Sequence, residues 1–253
     1  MYAVTVSKTF DLPENYCWIQ GGTALNGAIP GILHDDDFEG NLSLKNPYFG
    51  EYTAYYAIWK NDQDSDYIGL CHYRRFFDEG QFRLSPISAG HIERILRKKD
   101  VILPFQEGIG PIEEQYAHYH KAEDWRTYLE VLKAYDPGFQ AYFSRYVKRR
   151  SEISMRNVLI GRREVIFAYF TWVFPLFERL ETALDLEHLE AKDRRIPGFL
   201  IERTMEAWFV YYRYSIRYRY IYNTDESGNE KQRLRKSLYQ IVRNLKFRNE
   251  VQK

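Results

Sequence analysis

A stretch that begins at Asp66 reads DYIGLCHYRRFF, so an apolar segment leads directly into His72, Arg74 and Arg75. Clustered cations repel one another, and such a cluster is tolerable where an anion binds. The planar guanidinium of arginine forms bidentate, charge-assisted hydrogen bonds with phosphate oxygens. The stretch therefore indicates a site for a phosphate-bearing ligand. The alternative is that these cations pair with acidic neighbours such as Asp64 or Asp66.

The spacing of these cations limits how many can face one ligand. If the strand continues through them, adjacent side chains point to opposite faces. Arg74 then shares a face with His72, and Arg75 shares one with Tyr73. We therefore expect only one arginine to reach the phosphates.

Composition narrows the class of protein. The chain has 253 residues, enough for one large domain or two small ones, and 45% of them are hydrophobic, as in a globular protein. The net charge of +1 provides no overall field for nucleic-acid binding. Two cysteines, Cys17 and Cys71, form neither a disulfide framework nor a metal motif, which fits a reducing cytosol. The first residues lack the basic start and long apolar stretch of a signal peptide.

Apolar strands alternate with amphipathic helices, which predicts an α/β domain. The expected strands of the central sheet are 4–6, 67–73 and 101–103, with a further candidate at 154–160. Residues 20–50 are rich in glycine and predict loops. The expected helices are 51–60, 91–99, 123–134, 139–149, 164–184 (bent or restarted at Pro175) and 197–214.

Several dispersed motifs accompany the opening stretch in a fixed order. They are Asn41, Lys45, Asn46, Glu51, Thr53, Trp59, Lys60, Asn61, Glu114-Gln115-Tyr116, His120, Asp124, Asn157, Trp172 and the segment RIPGFLIER from Arg195 to Arg203. With Asp66 to Phe77, they resemble a bacterial glycosyltransferase family long labelled a domain of unknown function. It occurs in capsule, exopolysaccharide and O-antigen gene clusters, and some members are galactofuranosyltransferases. The resemblance covers residues 2 to about 222.

The resemblance implies a single-domain fold of the glycosyltransferase-A type, with a central sheet flanked by helices. It implies transfer of a hexose, such as galactofuranose or galactose, from a nucleotide-diphosphate sugar, with UDP as the expected nucleotide, to a growing, lipid-linked surface polysaccharide. The alternative is a non-catalytic nucleotide-sugar or glycan-binding module, or a scaffold in a polysaccharide assembly complex. Where the family has His-Lys after its first strand, this chain has Ser7-Lys8.

The resemblance also assigns residues to the donor and substrate sites. In related folds the strand before the donor ends in Asp-x-Asp, which holds Mg²⁺ or Mn²⁺, whereas here it ends in cations that can neutralise the leaving diphosphate. We therefore favour metal-independent chemistry without excluding either ion. The expected donor-binding residues are Lys8, Gly21, Gly22, His72, Arg74 and Arg75. The expected substrate-binding residues are Asn46, Glu51, Trp59, His120, Asn157, Arg195 and Arg203.

An inverting transfer needs a carboxylate that accepts the proton of the acceptor hydroxyl. Glu202, near the start of a predicted helix, is the first candidate by analogy with related enzymes, and Asp124 is the second. Glu51 is a third. Asp124 follows His120 by four residues, so the two share a helical face and form either a structural pair or part of a site. His118 and His120 do not share such a face, which argues against a metal pair.

Two basic segments have less specific interpretations. Lys148, Arg149 and Arg150, with Arg145 and Arg156, predict a solvated face. Residues 223–253 are expected to form a separate tail, whose last 29 residues carry eight Lys or Arg and four Asp or Glu. Apolar residues at helical spacing predict a basic amphipathic helix over 230–248 that lies on an anionic membrane surface, or that docks on the protein or on a second copy. The expected location is the cytoplasm, at the inner face of the membrane if the tail binds there; the oligomeric state is open.

Overall fold

The computed structural model describes residues 1–7, 9, 11–80, 83–189 and 193–223. The twelve strands described are β1 Tyr2–Thr5, β2 Cys17–Gln20, β3 Leu33–His34, β4 Tyr67–His72, β5 Arg75–Gly80, β6 Arg83–Pro86, β7 Val101–Pro104, β8 Glu107–Gly108, β9 Glu152–Ile153, β10 Leu159–Arg162, β11 Ile216–Arg219 and β12 Ile221–Asn223. The nine α-helices described are α1 Thr23–Asn26, α2 Asn46–Phe49, α3 Tyr52–Asn61, α4 Ala89–Leu96, α5 Ile112–Tyr119, α6 Ala122–Tyr135, α7 Pro137–Arg149, α8 Arg163–Ala183 and α9 Ile196–Tyr211.

A ten-stranded sheet forms the centre of the fold. Its main path runs β11-β7-β10-β4-β1-β2-β3, and the β5-β6-β12 extension joins it through β4. β1 pairs in parallel with both β2 and β4, whereas β10 is antiparallel to its two neighbours, β4 and β7. The amino end of β10 therefore lies at the same edge of the sheet as the carboxyl ends of β1, β2 and β4.

Apolar side chains cover both faces of the sheet. In β4, Ile68 and Leu70 join the larger core with α3, α8 and α9, while Cys71 joins a smaller core with α4 and β5. β7 alternates in the same way, since Val101 and Leu103 belong to the larger core and Ile102 to the smaller one. This is the period-two pattern of a strand that is buried on both faces. A central sheet with helices packed against it confirms the expected α/β architecture.

The sequence predicted the main helices well and some connections poorly. α8 is one helix with Pro175 inside it rather than two. The candidate strand 154–160 is wrong at its start, because the chain turns at Arg156 and Asn157 before β10 begins. The loop-rich segment 20–50 contains the short elements β3, α1 and α2. The expected tail helix lies outside the described residues.

Candidate functional site

A cavity of about 560 Å³ opens where β1, β2 and β4 end. In sheets of this kind, ligands bind at the carboxyl ends of parallel strands. Thr5, Val6 and Gly21, which follow or end β1 and β2, line the cavity. Its charged and amide side chains come from four separate segments, which supply Asn46 and Glu51; His72, Arg74 and Arg75; Arg156 and Asn157; and Arg195 and Glu202.

The cationic wall is a hairpin and not the end of a strand. β4 stops at His72, Tyr73 and Arg74 form a two-residue turn, and Arg75 pairs with His72 across the start of β5. The expectation that strand alternation separates the two arginines is therefore wrong: His72, Arg74 and Arg75 all line the cavity. The sequence offered no glycine or proline to mark this turn.

The two arginines of the hairpin differ in their surroundings. Arg74 is exposed, and its guanidinium lies 4.5 Å from the ring centre of Tyr73 in a cation–π contact. Arg75 is half-buried, and among the described residues it forms no ion pair with Asp64, Asp66 or any other carboxylate. Arg75 is thus the cation of this wall whose charge the described protein groups leave uncompensated.

The glycine pair after β2 is shaped by a buried aspartate. Asp35 accepts hydrogen bonds from the backbone N–H groups of Gly22 and Thr23, at 2.6 and 3.1 Å, and from the hydroxyl of Ser43 at 2.6 Å. Gly22 has a φ of 68°, and a Cβ there would lie 2.8 Å from the side chain of Asn46. Gly21 lines the cavity, and Gly22 lies beside it without lining it.

Glu51 is fixed by hydrogen bonds from two groups on the cavity wall. Asn157 donates to its Oε1 at 2.9 Å, and Arg195 donates to its Oε2 at 3.3 Å. Nε2 of His72 lies 3.8 Å from the same Oε1, too far for a hydrogen bond. This carboxylate is therefore engaged within the protein.

Glu202 is the second carboxylate of the cavity. The backbone N–H of Arg156 donates a hydrogen bond to its Oε1. Burial raises the pKa of Glu202, the nearby charge of Glu51 raises it further, and the hydrogen bond and the cations Arg203 and Arg156 partly oppose this. A raised carboxyl pKa makes Glu202 a better proton acceptor than a solvated glutamate.

His72 contributes a neutral imidazole. Its Nε2 is buried and has no hydrogen-bond partner among the described residues. Burial lowers the pKa of His72; Glu51 opposes this shift, whereas Arg75, Arg195 and Arg156 add to it. At neutral pH the ring is therefore uncharged.

Arg156 belongs to the cavity, so its assignment to a solvated basic face was wrong. It lines the wall and forms an ion pair with Glu107. Its φ of 84° and that of Asn157, 50°, put two consecutive non-glycine residues in the left-handed region. Asparagine tolerates that conformation, which was the one sequence signal for a turn here.

Besides Gly22, four expected site residues do not line the cavity. Trp59 stacks on Phe174 with 5.2 Å between ring centres. His120 stacks on Phe199, a lining residue, from 4.7 Å. The other two are Asp124, in the first turn of α6, and Arg203, which donates to the carbonyl of Phe199.

One expected donor residue cannot be placed. Lys8 lies outside the described residues. Its assignment to the donor site therefore stays a prediction.

The polar groups of the cavity suit an anion better than a cation. Glu51 and Glu202 are its carboxylates among the described residues, and both accept hydrogen bonds from the protein. In that same part of the chain, a group of metal-ligating types within 4.8 Å of one another is His34, Asp36 and Asp37, which do not line the cavity. The preference for metal-independent chemistry stays a prediction.

A search of the described helices for membrane spans gave none with the required length and hydrophobicity. The expected peripheral contact through the tail is a separate matter, because residues 224–253 are not described.

Comparisons with known proteins agree with this architecture. A family model described as a domain of unknown function (DUF4422) matches residues 2–213. The search of curated proteins found no match. Among solved structures, the fold is similar to that of a protein described as the WbbM bifunctional glycosyltransferase in its apo form, with a TM-score of 0.78 and 21% identity. The match covers 90% of this chain and 45% of the other, so this chain spans less than half of that protein's length.

Proposed function

The chain belongs to the family described as a domain of unknown function (DUF4422), and we propose that it is a glycosyltransferase that uses a nucleotide-diphosphate sugar. The observation that carries the proposal is the cationic β4–β5 hairpin at the carboxyl edge of the sheet. The fold of the chain is similar to that of a solved protein described as a bifunctional glycosyltransferase, which also supports the proposal.

The hairpin supports the assignment of the donor diphosphate to this wall. Arg75 has no carboxylate partner among the described residues, and the exposed Arg74 stands beside it. Two guanidinium groups can compensate the negative charge that develops on the leaving diphosphate. On this proposal the arginines do the work that a divalent ion does in related enzymes.

Glu202 supplies the proton acceptor. The acceptor hydroxyl oxygen attacks the anomeric carbon of the donor, and its proton passes to the Glu202 carboxylate. The bond between that carbon and the diphosphate oxygen breaks, and the nucleoside diphosphate leaves with the electron pair. His72 lines the same cavity as an uncharged imidazole.

The finer assignments rest on the motifs that the chain shares with its family. We propose a hexose donor, UDP-galactofuranose or UDP-galactose, and a lipid-linked glycan as acceptor. A lipid-linked acceptor places the reaction at the inner face of the cell membrane, where the basic residues of the tail can contact anionic lipid. Sedimentation with anionic vesicles at low salt, with and without residues 225–253, tests that contact.

The decisive experiment measures donor binding and donor turnover together. Ligand that binds only the native state raises its melting temperature, so nucleoside diphosphates and nucleotide sugars are screened by thermal shift, with Mn²⁺ and with chelator. Release of UDP from each stabilising donor is then measured. Arg97→Ala is the matched control for Arg75→Ala, because Arg97 is an exposed arginine at the end of α4, away from the cavity.

We expect UDP sugars to stabilise the protein and to be turned over slowly with release of UDP. Arg75→Ala should lose both the stabilisation and the turnover, and Arg97→Ala should keep both. Binding without turnover, across several acceptors, would instead favour the non-catalytic module. Activity that chelator abolishes and Arg75→Ala leaves intact would show that a metal does the work assigned to the arginines.

A further inference from the structure

The turn formed by Arg156 and Asn157 holds both carboxylates of the cavity. Glu202 accepts a hydrogen bond from the backbone N–H of Arg156, and Glu51 accepts one from the side-chain amide of Asn157 at 2.9 Å. Glu51 precedes α3 and Glu202 lies on α9, so the turn connects groups from two separate helices. Two adjacent residues therefore set the separation of the two acids.

The backbone of this turn is unusual for the residues that form it. Within the described residues, the non-glycine residues with positive φ are Arg156, Asn157, Asp185 and Arg213, and the first two are consecutive. Such conformations persist where surrounding contacts over-determine them, and they are common at functional sites.

The surroundings of Asn157 supply those contacts. The buried Tyr55 donates its hydroxyl to the Asn157 carbonyl at 3.0 Å, and the buried Tyr52 donates to its Oδ1 at 3.2 Å. The hydroxyl of Tyr52 also lies 3.0 Å from that of Tyr169. Asn157 itself is 3% exposed, so its side chain is fully committed to this arrangement.

We propose that the Arg156–Asn157 turn is a positioning element of the transfer reaction, which holds the Glu202 carboxylate in place and fixes the charge of Glu51 beside it. This inference rests on the proposed function. Asn157 is a positioning residue because it acts through Glu51 and does not itself exchange the proton. Small displacements of reacting groups lower turnover steeply, so we expect changes in this turn to lower kcat.

The charges that face the two acids determine how the test is read. Glu202 faces Arg156 from the turn, Glu51 from the start of α3, and Arg203 from its own helix. Glu51 is faced by His72 at the end of β4 and by Arg195 before α9. An additional negative charge at position 157 would raise the pKa of Glu202 further.

The test uses the full chain and measures UDP release from UDP-galactose and UDP-galactofuranose. Asn157→Asp keeps the size and the tolerance for positive φ, but it replaces the donor to Glu51 with a carboxylate oxygen. We expect kcat to fall by about 10- to 100-fold with donor KM changed by less than about threefold. The acid limb of the kcat/KM profile should move to higher pH.

A second variant controls for a loss of activity that is due to misfolding. Asn157→Gly keeps the backbone conformation without strain and removes both side-chain hydrogen bonds, so kcat should fall without the shift of the acid limb. Arg213→Gly is the matched control, since Arg213 has a φ of 61° and does not line the cavity. Its kinetics should equal those of the unmodified protein.

The outcomes separate this inference from the proposed function. If Glu202→Gln abolishes UDP release while both Asn157 variants keep normal kcat and pH profile, the positioning role is overturned and the proposed function stands. If Glu202→Gln retains normal release, the base assignment fails and the inference fails with it.

Discussion

Two regions of the molecule each bury a carboxyl group, and only one of these groups adjoins the cavity. Burial is the main cause of the raised pKa of both Glu202 and Asp124. Glu202 lines the cavity and accepts a hydrogen bond from the Arg156 backbone, whereas Asp124 lies in the first turn of α6, and its Oδ2 has no hydrogen-bond partner among the described residues. A shifted pKa therefore reports burial, and an adjoining cavity is needed to make it functional.

Two other expected residues that do not line the cavity strengthen this contrast. His120 stacks on Phe199, and Arg203 donates to the Phe199 carbonyl and to the side chain of Gln115. These groups support one wall of the cavity from behind. In this region the expected substrate-binding residues occupy a supporting position, in which they shape the site through Phe199.

The largest loss of turnover is expected for Glu202→Gln. Glu202→Gln removes the proposed proton acceptor but keeps an oxygen for the Arg156 hydrogen bond, so turnover should fall by about 10²- to 10⁴-fold while donor binding remains. UDP release and thermal shift with UDP measure the two quantities. Near-normal turnover would transfer the role to Glu51 or Asp124.

The second effect separates the two arginines of the hairpin. Arg75→Ala removes the half-buried cation and should lower turnover by about 10²- to 10³-fold, the usual scale for loss of one electrostatic stabiliser. Arg74→Ala should cost less, because Arg74 is exposed and stacked on Tyr73. Steady-state kinetics of both variants decide the order, and a larger loss in Arg74→Ala would contradict it.

The third effect is on kcat/KM, which should fall about tenfold per pH unit below the pKa of the base. Since the pKa of Glu202 is raised, kcat/KM should decline with falling pH already above the ordinary glutamate range. The sign for stability is opposite: the folded protein binds this proton more tightly, so between the ordinary and the raised pKa stability decreases as pH rises. Glu202→Gln should therefore melt no lower than the unmodified protein at neutral pH.

The smallest effect is expected for Asp124→Asn, the matched substitution in the other region. The change removes a buried charge with no hydrogen-bond partner for Oδ2 among the described residues, so activity should change by less than about twofold. Melting temperature at neutral pH should stay the same or rise, because the raised pKa of Asp124 marks an unfavourable charge. A loss of turnover comparable to that of Glu202→Gln would remove the distinction between the two regions.

The sequence predicted what local patterns encode. Continuous apolar runs at β4 and β7 identified strands of the sheet, and Pro197 at a first turn identified the helix that carries Glu202. The β4–β5 turn was missed because Tyr73 and Arg74 carry no turn chemistry. Arg156 was missed because a basic residue near other basic residues resembles a solvated face, and its position depends on β10 running antiparallel to β4. Long-range contacts of this kind have no local signature.

The contacts of Glu51 have a consequence for folding. Its hydrogen bonds reach residues 106 and 144 positions away along the chain. Contacts of such sequence separation form late and slowly, because the entropy of closing long loops opposes them. The cavity is therefore complete only when strands from both halves of the chain have paired. A chain released before α9 is synthesised would lack Arg195 and Glu202, so donor binding can serve as a reporter of complete folding.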